Sequence, residues 1–416
     1  MAYLRGVGAC AQGADETGPN RALRICLVYD SLQPYRIGGA ERWYYSLVEK
    51  LASAGCEVTY VTMRQWDRTA TGTHPSAKVV AVGPWMENYR PGGNRTILPP
   101  ILFGLGVLVH LLRHGRRYDI VHAASFPYFS LLAAAVARPF GGYRIVVDWH
   151  EFWSRDYWRS YLGPLGDVGW TVQRLCLAVR QHAFCMAELT AERLRAHRVN
   201  GEVEVLKGEY AGDLTPREPR PAEPVVLFAA RLIREKRVTL AIEAIALAQR
   251  ALPQLTARIF GRGPQWDEAA RMIAERGLGE IIQMTDFVER PVLEATMARA
   301  LCLLHPSSRE GYGLVVVEAS AAGLPSILVA GEDNAATELV DDGVNGFVVG
   351  EPSAEQLAEA IVRVHAAGQA LRLSTAVWFA DNAELLSIDS SLQKVVASYG
   401  PSAGDQTGSQ GPGKAR

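Results

Sequence analysis

Apolar positions in this chain fall in short runs separated by loops and longer helical stripes, the alternation of an α/β protein. Leu23-Arg24-Ile25-Cys26-Leu27-Val28-Tyr29 is near-continuously apolar, as in a strand covered on both faces. Helical spacing follows over 42–54, Gly55 stops it, and 57–62 reads as the next strand. Further strands are expected at 118–124 and at 143–149, and then at 225–230, 255–260, 281–288, 300–304 and 326–330. Residues 174–198 read as helices, with Asn200-Gly201 as a stop, and helical patterns return over 354–365 and 376–399. Strands that alternate with helices predict parallel β-α-β units, whose ligands lie at the carboxyl edge of the sheet.

The periodicity fades over 206–224, which gains charge and the prolines Pro216, Pro219, Pro221 and Pro224. That break divides the chain into an N-terminal domain (23–205), a linker (206–223), a second domain (224–370) and a helical segment (371–400). The ends, 1–22 and 401–416, are rich in Gly and small or polar residues and are expected to be disordered. No stretch reaches the roughly 18–20 apolar residues of a spanning helix. Residues 97–109 are apolar apart from prolines and glycines, and Arg113, His114, Arg116 and Arg117 follow closely. They read either as an interfacial membrane anchor with a basic flank or as a core helix ended by Gly115, and their length favours the core helix.

One stretch carries most of the candidate chemistry. After the apolar run 300–304 comes Ser307-Ser308-Arg309-Glu310-Gly311-Tyr312-Gly313-Leu314, then a small-residue helix closed by Gly323-Leu324-Pro325. Strand, glycine loop and helix present free backbone amides and a positive dipole end to phosphate oxygens. Glu310 and Glu318 flank that seat; carboxylates repel phosphate but accept hydrogen bonds from hydroxyls. Polyol, phosphate and polyol in sequence describe a nucleotide sugar.

Other loops point to the same edge. Gly38-Gly39 follows the first strand, and a flexible turn explains the pair as well as a ligand does. The strand at 143–149 delivers Asp148, His150 and Glu151, with Trp153, Tyr157, Trp158 and Tyr161 after them, aromatic faces of the kind that cover sugar C–H surfaces. His122, near the end of its own strand, reads as structural or pocket-lining. Arg231 and Lys236, in the loop after 225–230, suit a diphosphate as a fork and a point charge. Gly261-Arg262-Gly263-Pro264 closes another strand, and Val288, at the end of the next, could border a base pocket.

Composition narrows the classes. At 416 residues two domains are the default. With 48% hydrophobic and 21% charged residues the chain is of the globular type, and its net charge of −1 gives no basic field for nucleic acid. Six cysteines without CxxC or metal-ligand spacing read as reduced thiols, so a cytoplasmic location is expected.

These residues resemble a family. The two β/α domains resemble the GT-B fold, two Rossmann-like domains facing across a cleft, and the second-domain motifs resemble the retaining glycosyltransferases of family 4 (glycosyl transferases group 1). The matching residues are Ala230-Arg231-Leu232 with Glu235-Lys236, Gly261-Arg262-Gly263-Pro264, Pro306-Ser307 with Glu310-Gly311-Tyr312-Gly313, Glu318-Ala319, Ala322-Gly323-Leu324-Pro325 and Asp342-Gly343-Val344-Asn345-Gly346. The resemblance covers about residues 23–365.

It implies that Arg231 and Lys236 hold the donor diphosphate, that Glu310 holds the donor sugar and that Glu318 holds the ribose. It implies backbone approach at Gly39, Gly261, Gly263, Gly313 and Leu314, and a place for His150 near the transferred sugar. It also implies a hexose moved from a UDP- or GDP-sugar to a hydroxyl of a sugar, lipid-linked or small-molecule acceptor, as in polysaccharide, glycolipid or glycosylated natural-product synthesis. Retention of configuration, no cofactor and no metal are implied too, and the chain has no Asp-x-Asp. The basic apolar stretch leaves open peripheral contact with the inner face of the cell membrane. Departures from the pattern are Ala230 and Arg237, where the family has glycines, and Tyr312, where it commonly has phenylalanine. Three other readings compete: a nucleotide-sugar epimerase of the same fold, a phosphorylase, and a non-catalytic sugar-nucleotide-binding module. A phosphorylase needs a cofactor lysine, and the only lysine between Lys207 and Lys394 is Lys236.

Overall fold

The computed structural model describes residues 21–36, 38–66, 72–84, 86 and 96–400. The expected tail and nearly all of the expected leader lie outside them. The first half runs β1 (Arg24–Val28), α1 (Gly39–Ser53), β2 (Glu57–Thr62), β3 (Lys78–Ala81), α2 (Leu98–His114), β4 (Ile120–Ala124), α3 (Tyr128–Gly141) and β5 (Arg144–Trp149). It continues with α4 (Arg155–Leu162), α5 (Gly166–Leu177), β6 (Gln181–Cys185), α6 (Glu188–Ala196) and β7 (Gly201–Val205). Its strands form one sheet in the order β3-β2-β1-β4-β5-β6-β7, every pair parallel. Ile25 to Val28 of β1 are fully buried, as their unbroken apolar run requires between two helical layers. The strand order reverses between β1 and β4, so the loops that follow these strands open on a common crevice.

The second half runs β8 (Val225–Ala229), α7 (Val238–Ala251), β9 (Thr256–Phe260), α8 (Trp266–Glu275), β10 (Ile282–Thr285), α9 (Arg290–Met297) and β11 (Cys302–His305). Next come β12 (Arg309–Glu310), α10 (Leu314–Ala321), β13 (Ser326–Val329), β14 (Asp333–Asn334), β15 (Gly346–Val349), α11 (Ala354–Leu386) and α12 (Ile388–Ser398). A second parallel sheet has the order β10-β9-β8-β11-β13-β15, and β12 pairs with β14 in a separate short ladder. The reversal here lies between β8 and β11, which sends the loops after them to one place.

Three expectations change. The stretch expected to be helical over 174–198 holds β6 between α5 and α6. Gln181 starts that strand buried, its amide satisfied by Trp149 Nε1 and the Cys176 carbonyl, both at 2.8 Å. The helices at the C-terminal end begin as one element, α11, which breaks at Gly368 (φ +56) and continues to Leu386. Beyond it α12 leaves the second domain and packs on α1, where Lys50 Nζ meets Asp389 Oδ1 at 3.0 Å. The chain therefore crosses between domains twice, and the crossings run side by side: Tyr210 N donates to Leu386 O (3.0 Å) and Ile388 N to Tyr210 O (2.9 Å).

The apolar stretch at 97–109 is the start of α2, a core helix on one face, with Phe103, Val107 and Leu111 buried against the domain. Its opposite face exposes Leu98, Leu105, Val109 and Leu112.

Candidate active site

Both crevices open onto the cleft between the domains, and residues from the two halves meet there. In the second domain, β11 ends in His305 and the chain turns through Ser307 into β12. Asn334 fixes that turn, donating from Nδ2 to Ser307 O (3.1 Å) and Val329 O (2.8 Å). Glu310 emerges from β12 with its Oε1 shared between Lys236 Nζ and His305 Nε2, the latter at 2.5 Å. Burial alone would raise its pKa, but the Lys236 and His305 charges outweigh burial and hold the carboxyl well below the usual range. His305 is a site residue the sequence reading missed, because it stands at the end of an apolar run and looks like the last residue of a strand.

Lys236 comes from the loop after β8. A short helical turn over Arg234–Lys236 leads to Arg237, which sits at φ +52. This left-handed geometry explains why the family pattern has glycine at that position; here Arg237 Nη1 instead reaches the Pro306 carbonyl at 3.4 Å. Arg231 is exposed in the same loop, with no ion-pair partner among the described residues. Gly261 and Gly263 hold this loop rather than leave room for a ligand. A Cβ at Gly261 (φ +144) would stand 1.8 Å from Ala230 O, and one at Gly263 would stand 2.5 Å from Leu232 O. They position Arg231 through the backbone, with Leu232 N donating to Arg262 O at 3.1 Å.

Gly313 precedes α10 at φ +102, and a Cβ there would lie 2.5 Å from Ala336 Cβ. No side chain caps the helix, and within its first turn Val316 N donates back to Gly313 O at 2.8 Å. One turn apart on α10, Leu314 and Glu318 line a cavity that also takes Gly39, Arg42, Trp43 and Ser46 of α1, together with Glu209, Ala211, Arg290 and Ile388. A Cβ at Gly39 would meet nothing within 4 Å, so that position faces open space. Arg42 Nη1 lies 3.7 Å from Glu318 Oε1, and burial pushes the Glu318 carboxyl above its ordinary value. Glu209, on the segment expected to be a plain linker, is likewise raised by burial. Val288 packs against the core instead of lining this cavity; Arg290, two residues on, is the wall on that side.

The first domain brings His150 at the end of β5. Its carbonyl lies against the Glu310-Gly311 turn, where a Cβ at Gly311 would come within 2.5 Å of it, and its buried Nε2 has no hydrogen-bond partner. Beneath it Asp148 accepts from Trp43 Nε1 (2.8 Å) and lies 2.8 Å from His122 Nε2, while His122 Nδ1 meets the Tyr399 hydroxyl at 2.5 Å. Burial would raise Asp148, yet His122, His150 and the Trp43 bond together lower it. His122 is thus structural, a buried link between β4 and the end of α12.

The aromatic group after β5 does not form a free sugar platform. Arg309 lies over the rings of Trp153 (4.5 Å) and Tyr157 (4.0 Å) and pairs with Glu151 at 2.5 Å. Trp158 is buried against Gln173, with Nε1 3.2 Å from Oε1. Tyr157 also donates to Glu235 Oε1 (3.0 Å) across the cleft, and Arg193 reaches Asp333 Oδ1 at 2.6 Å. These contacts hold the domains together beside the cleft.

Comparison with known proteins gives two family matches that divide the chain as its sheets do. Residues 37–207 match the family described as Glycosyltransferase Family 4, and residues 215–372 match Glycosyl transferases group 1. The alpha-D-kanosaminyltransferase of Streptomyces kanamyceticus is 30% identical over 34% of this chain, a match that spans about a third (36%) of that relative's own length. A longer match, 25% identical over 82% of this chain and 89% of the relative, is the GDP-mannose-dependent alpha-(1-6)-phosphatidylinositol monomannoside mannosyltransferase of Mycobacterium tuberculosis. Among solved structures, sucrose-phosphate synthase of Thermosynechococcus elongatus superposes with a TM-score of 0.69 at 19% identity, covering 91% of this chain and 98% of that one. WaaG, a glycosyltransferase involved in lipopolysaccharide biosynthesis, gives 0.66 at 18% identity, over 91% and 100%. Two parallel-sheet domains facing across a cleft are the GT-B fold.

Proposed function

This chain belongs to the group 1 glycosyl transferases, and from that premise we propose that it moves a hexose from a UDP- or GDP-sugar to an acceptor hydroxyl with retention of configuration. The observation that carries the reading is the Lys236–Glu310–His305 cluster at the foot of α10, next to His150 of the facing domain. It puts a cation, an ionised carboxylate and uncapped helix amides where a diphosphate and a sugar would meet. Relatives named for GDP-mannose and UDP-N-acetylglucosamine support a nucleotide-sugar donor.

In the proposed reaction the anomeric C–O bond breaks and its electrons pass to the nucleoside diphosphate. Arg231, Lys236 and the first turn of α10 meet that charge, so the route asks for no metal. The acceptor oxygen bonds to the anomeric carbon on the face the nucleotide leaves, and its proton passes to the departing phosphate oxygen. Glu310 orients the sugar hydroxyls, Glu318 accepts from the ribose, and His150 offers its unpaired Nε2 to the transferred sugar. We place the enzyme in the cytoplasm; the five cysteines among the described residues are free and buried, which suits a reducing compartment.

A thermal-shift screen of UDP- and GDP-sugars on the wild type and Glu318→Ala tests the donor half, because a ligand of the folded state raises the melting temperature. One nucleotide sugar should stabilise the wild type and lose that effect in the variant. No shift with any donor would overturn the reading. Proton NMR of the product's anomeric signal tests retention, and an inverted product would exclude the front-face route.

A further inference from the structure

Most of the cations around the cleft are already committed. Lys236 is paired with Glu310, Arg290 Nε with Glu294 Oε1 (2.6 Å), Arg193 with Asp333 (2.6 Å) and Arg309 with Glu151 (2.5 Å). In the second domain Arg231 is exposed and has no ion-pair partner among the described residues. Its counterpart in the first domain is Arg42, on the opening turn of α1. Arg42 Nη1 stands 3.7 Å from Glu318 Oε1, too far for a hydrogen bond, and the side chain is 45% exposed.

The backbone beneath Arg42 is fixed although its fork is not. Its amide donates to Gly38 O at 3.1 Å, and the next residue, Trp43, is buried and bonded to Asp148 at 2.8 Å. Gly39, Arg42 and Ser46, at spacings of three and four, lie on one face of α1 and line the cleft cavity. Across it Leu314 and Glu318 lie about 6 Å apart along α10, within the sweep of one arginine side chain. Arg42 is therefore the first-domain cation that can reach both ends of the seat: the Glu318 carboxylate assigned to the ribose, and the start of α10 assigned to phosphate. Its charge is felt on both sides already. Burial raises the carboxyls of Glu318 and Glu209, and Arg42 draws each part of the way back.

We propose that Arg42 is a donor-binding residue contributed by the first domain, which gives up Glu318 to the ribose hydroxyls and turns its fork to the diphosphate. The proposal rests on the transferase reading and adds to it a contact between the bound donor and the opposite domain. Ribose and arginine compete for one carboxylate, so a nucleoside alone has to displace Arg42 without return. A nucleoside diphosphate displaces it and offers phosphate oxygens in exchange, which a guanidinium meets in a bidentate manner.

Calorimetry with UDP and GDP, and competition by uridine and guanosine, on the wild type, Arg42→Gln and Arg42→Lys tests it. Diphosphate affinity is expected to fall about tenfold or more in Arg42→Gln and by less in Arg42→Lys, as for the loss of a charge-assisted hydrogen bond. Nucleoside affinity should hold or rise in Arg42→Gln, because Glu318 is no longer shared. Circular dichroism should match the wild type in both variants, since the side chain is half exposed and forms no buried contact. Undiminished diphosphate affinity in Arg42→Gln overturns the proposal. So do equal losses of diphosphate and nucleoside, which would give Arg42 a part in the shape of the cleft alone. A wild type that binds neither UDP nor GDP overturns the transferase reading, and this proposal with it.

Discussion

Arg309 and Glu151 belong to different domains, and their side chains meet at 2.5 Å with the guanidinium lying over Trp153 and Tyr157. Arg309 immediately precedes Glu310, and Glu151 immediately follows His150. The pair therefore fixes the distance between the two residues placed around the donor sugar. Cation–π contact with two rings is worth about 0.5–2 kcal/mol each when partly desolvated.

Replacing Arg309 with Ala is expected to favour an open cleft and to lower kcat/KM about ten- to a hundredfold, since each 1.36 kcal/mol is a factor of ten. Small-angle scattering should show a larger radius of gyration, and Trp153 emission should shift as its ring loses its cover. An unchanged radius with unchanged kcat/KM would remove the latch from the mechanism.

Lys236→Ala takes away the cation proposed to meet the leaving group. A loss of about 100- to 1000-fold in kcat is expected, the scale seen when one donor to developing negative charge is deleted. The fold should survive, because His305 remains beside Glu310. Initial rates with circular dichroism as control decide it, and near-normal turnover would reassign Lys236.

Glu318 gives a pH signature. Burial raises its pKa above the ordinary 4.5, so on acidification it takes up a proton earlier than an exposed glutamate would and ceases to be the ionised acceptor proposed for the ribose hydroxyls. UDP or GDP affinity, measured by calorimetry, should fall with decreasing pH in the wild type and should be weaker but flatter in Glu318→Gln. Parallel pH profiles for the two proteins would contradict the assignment.

His110 makes stability fall with acidity. Burial, followed by the charges of His114, Lys78 and Arg117, lowers its pKa to about 4 from 6.5. Between those values the unfolded chain binds a proton that the folded chain refuses, so stability declines as the pH drops through that window and levels off below it. From pH 7 to pH 5 the loss attributable to this ring is about 2 kcal/mol. Glu209 and Glu318, raised in the folded state, give an opposite slope that wild type and variant share. The difference between wild type and His110→Asn in urea titrations at the two pH values isolates the histidine, and equal losses would refute it.

Much of this arrangement is legible in the sequence because its determinants are local. The run from Ile25 to Val28 can only be a doubly covered strand, and Gly313 before a small-residue helix marks a tight strand-to-helix turn whatever surrounds it. What could not be read rests on distant partners. Gln181 is a polar start to a strand, tolerated because Trp149 and Cys176 satisfy its amide, and nothing beside it in sequence says so. Trp153 and Tyr157 look like a carbohydrate surface until Arg309 is seen lying on them. Glu209 sits in a stretch without periodicity, and only the fold carries it to the cavity that holds Glu318.

The return of α12 to the first domain bears on how the protein is made. Domains tend to fold as they leave the ribosome, amino end first. Here the first domain emerges without its last helix, and His122, buried beside Asp148, waits for the Tyr399 hydroxyl until the whole second domain has been translated. The nascent first domain is therefore an unfinished object that only the completed chain can close. A protein divided at the junction of its two sheets would reassemble only if residues 388–399 travelled with the first fragment.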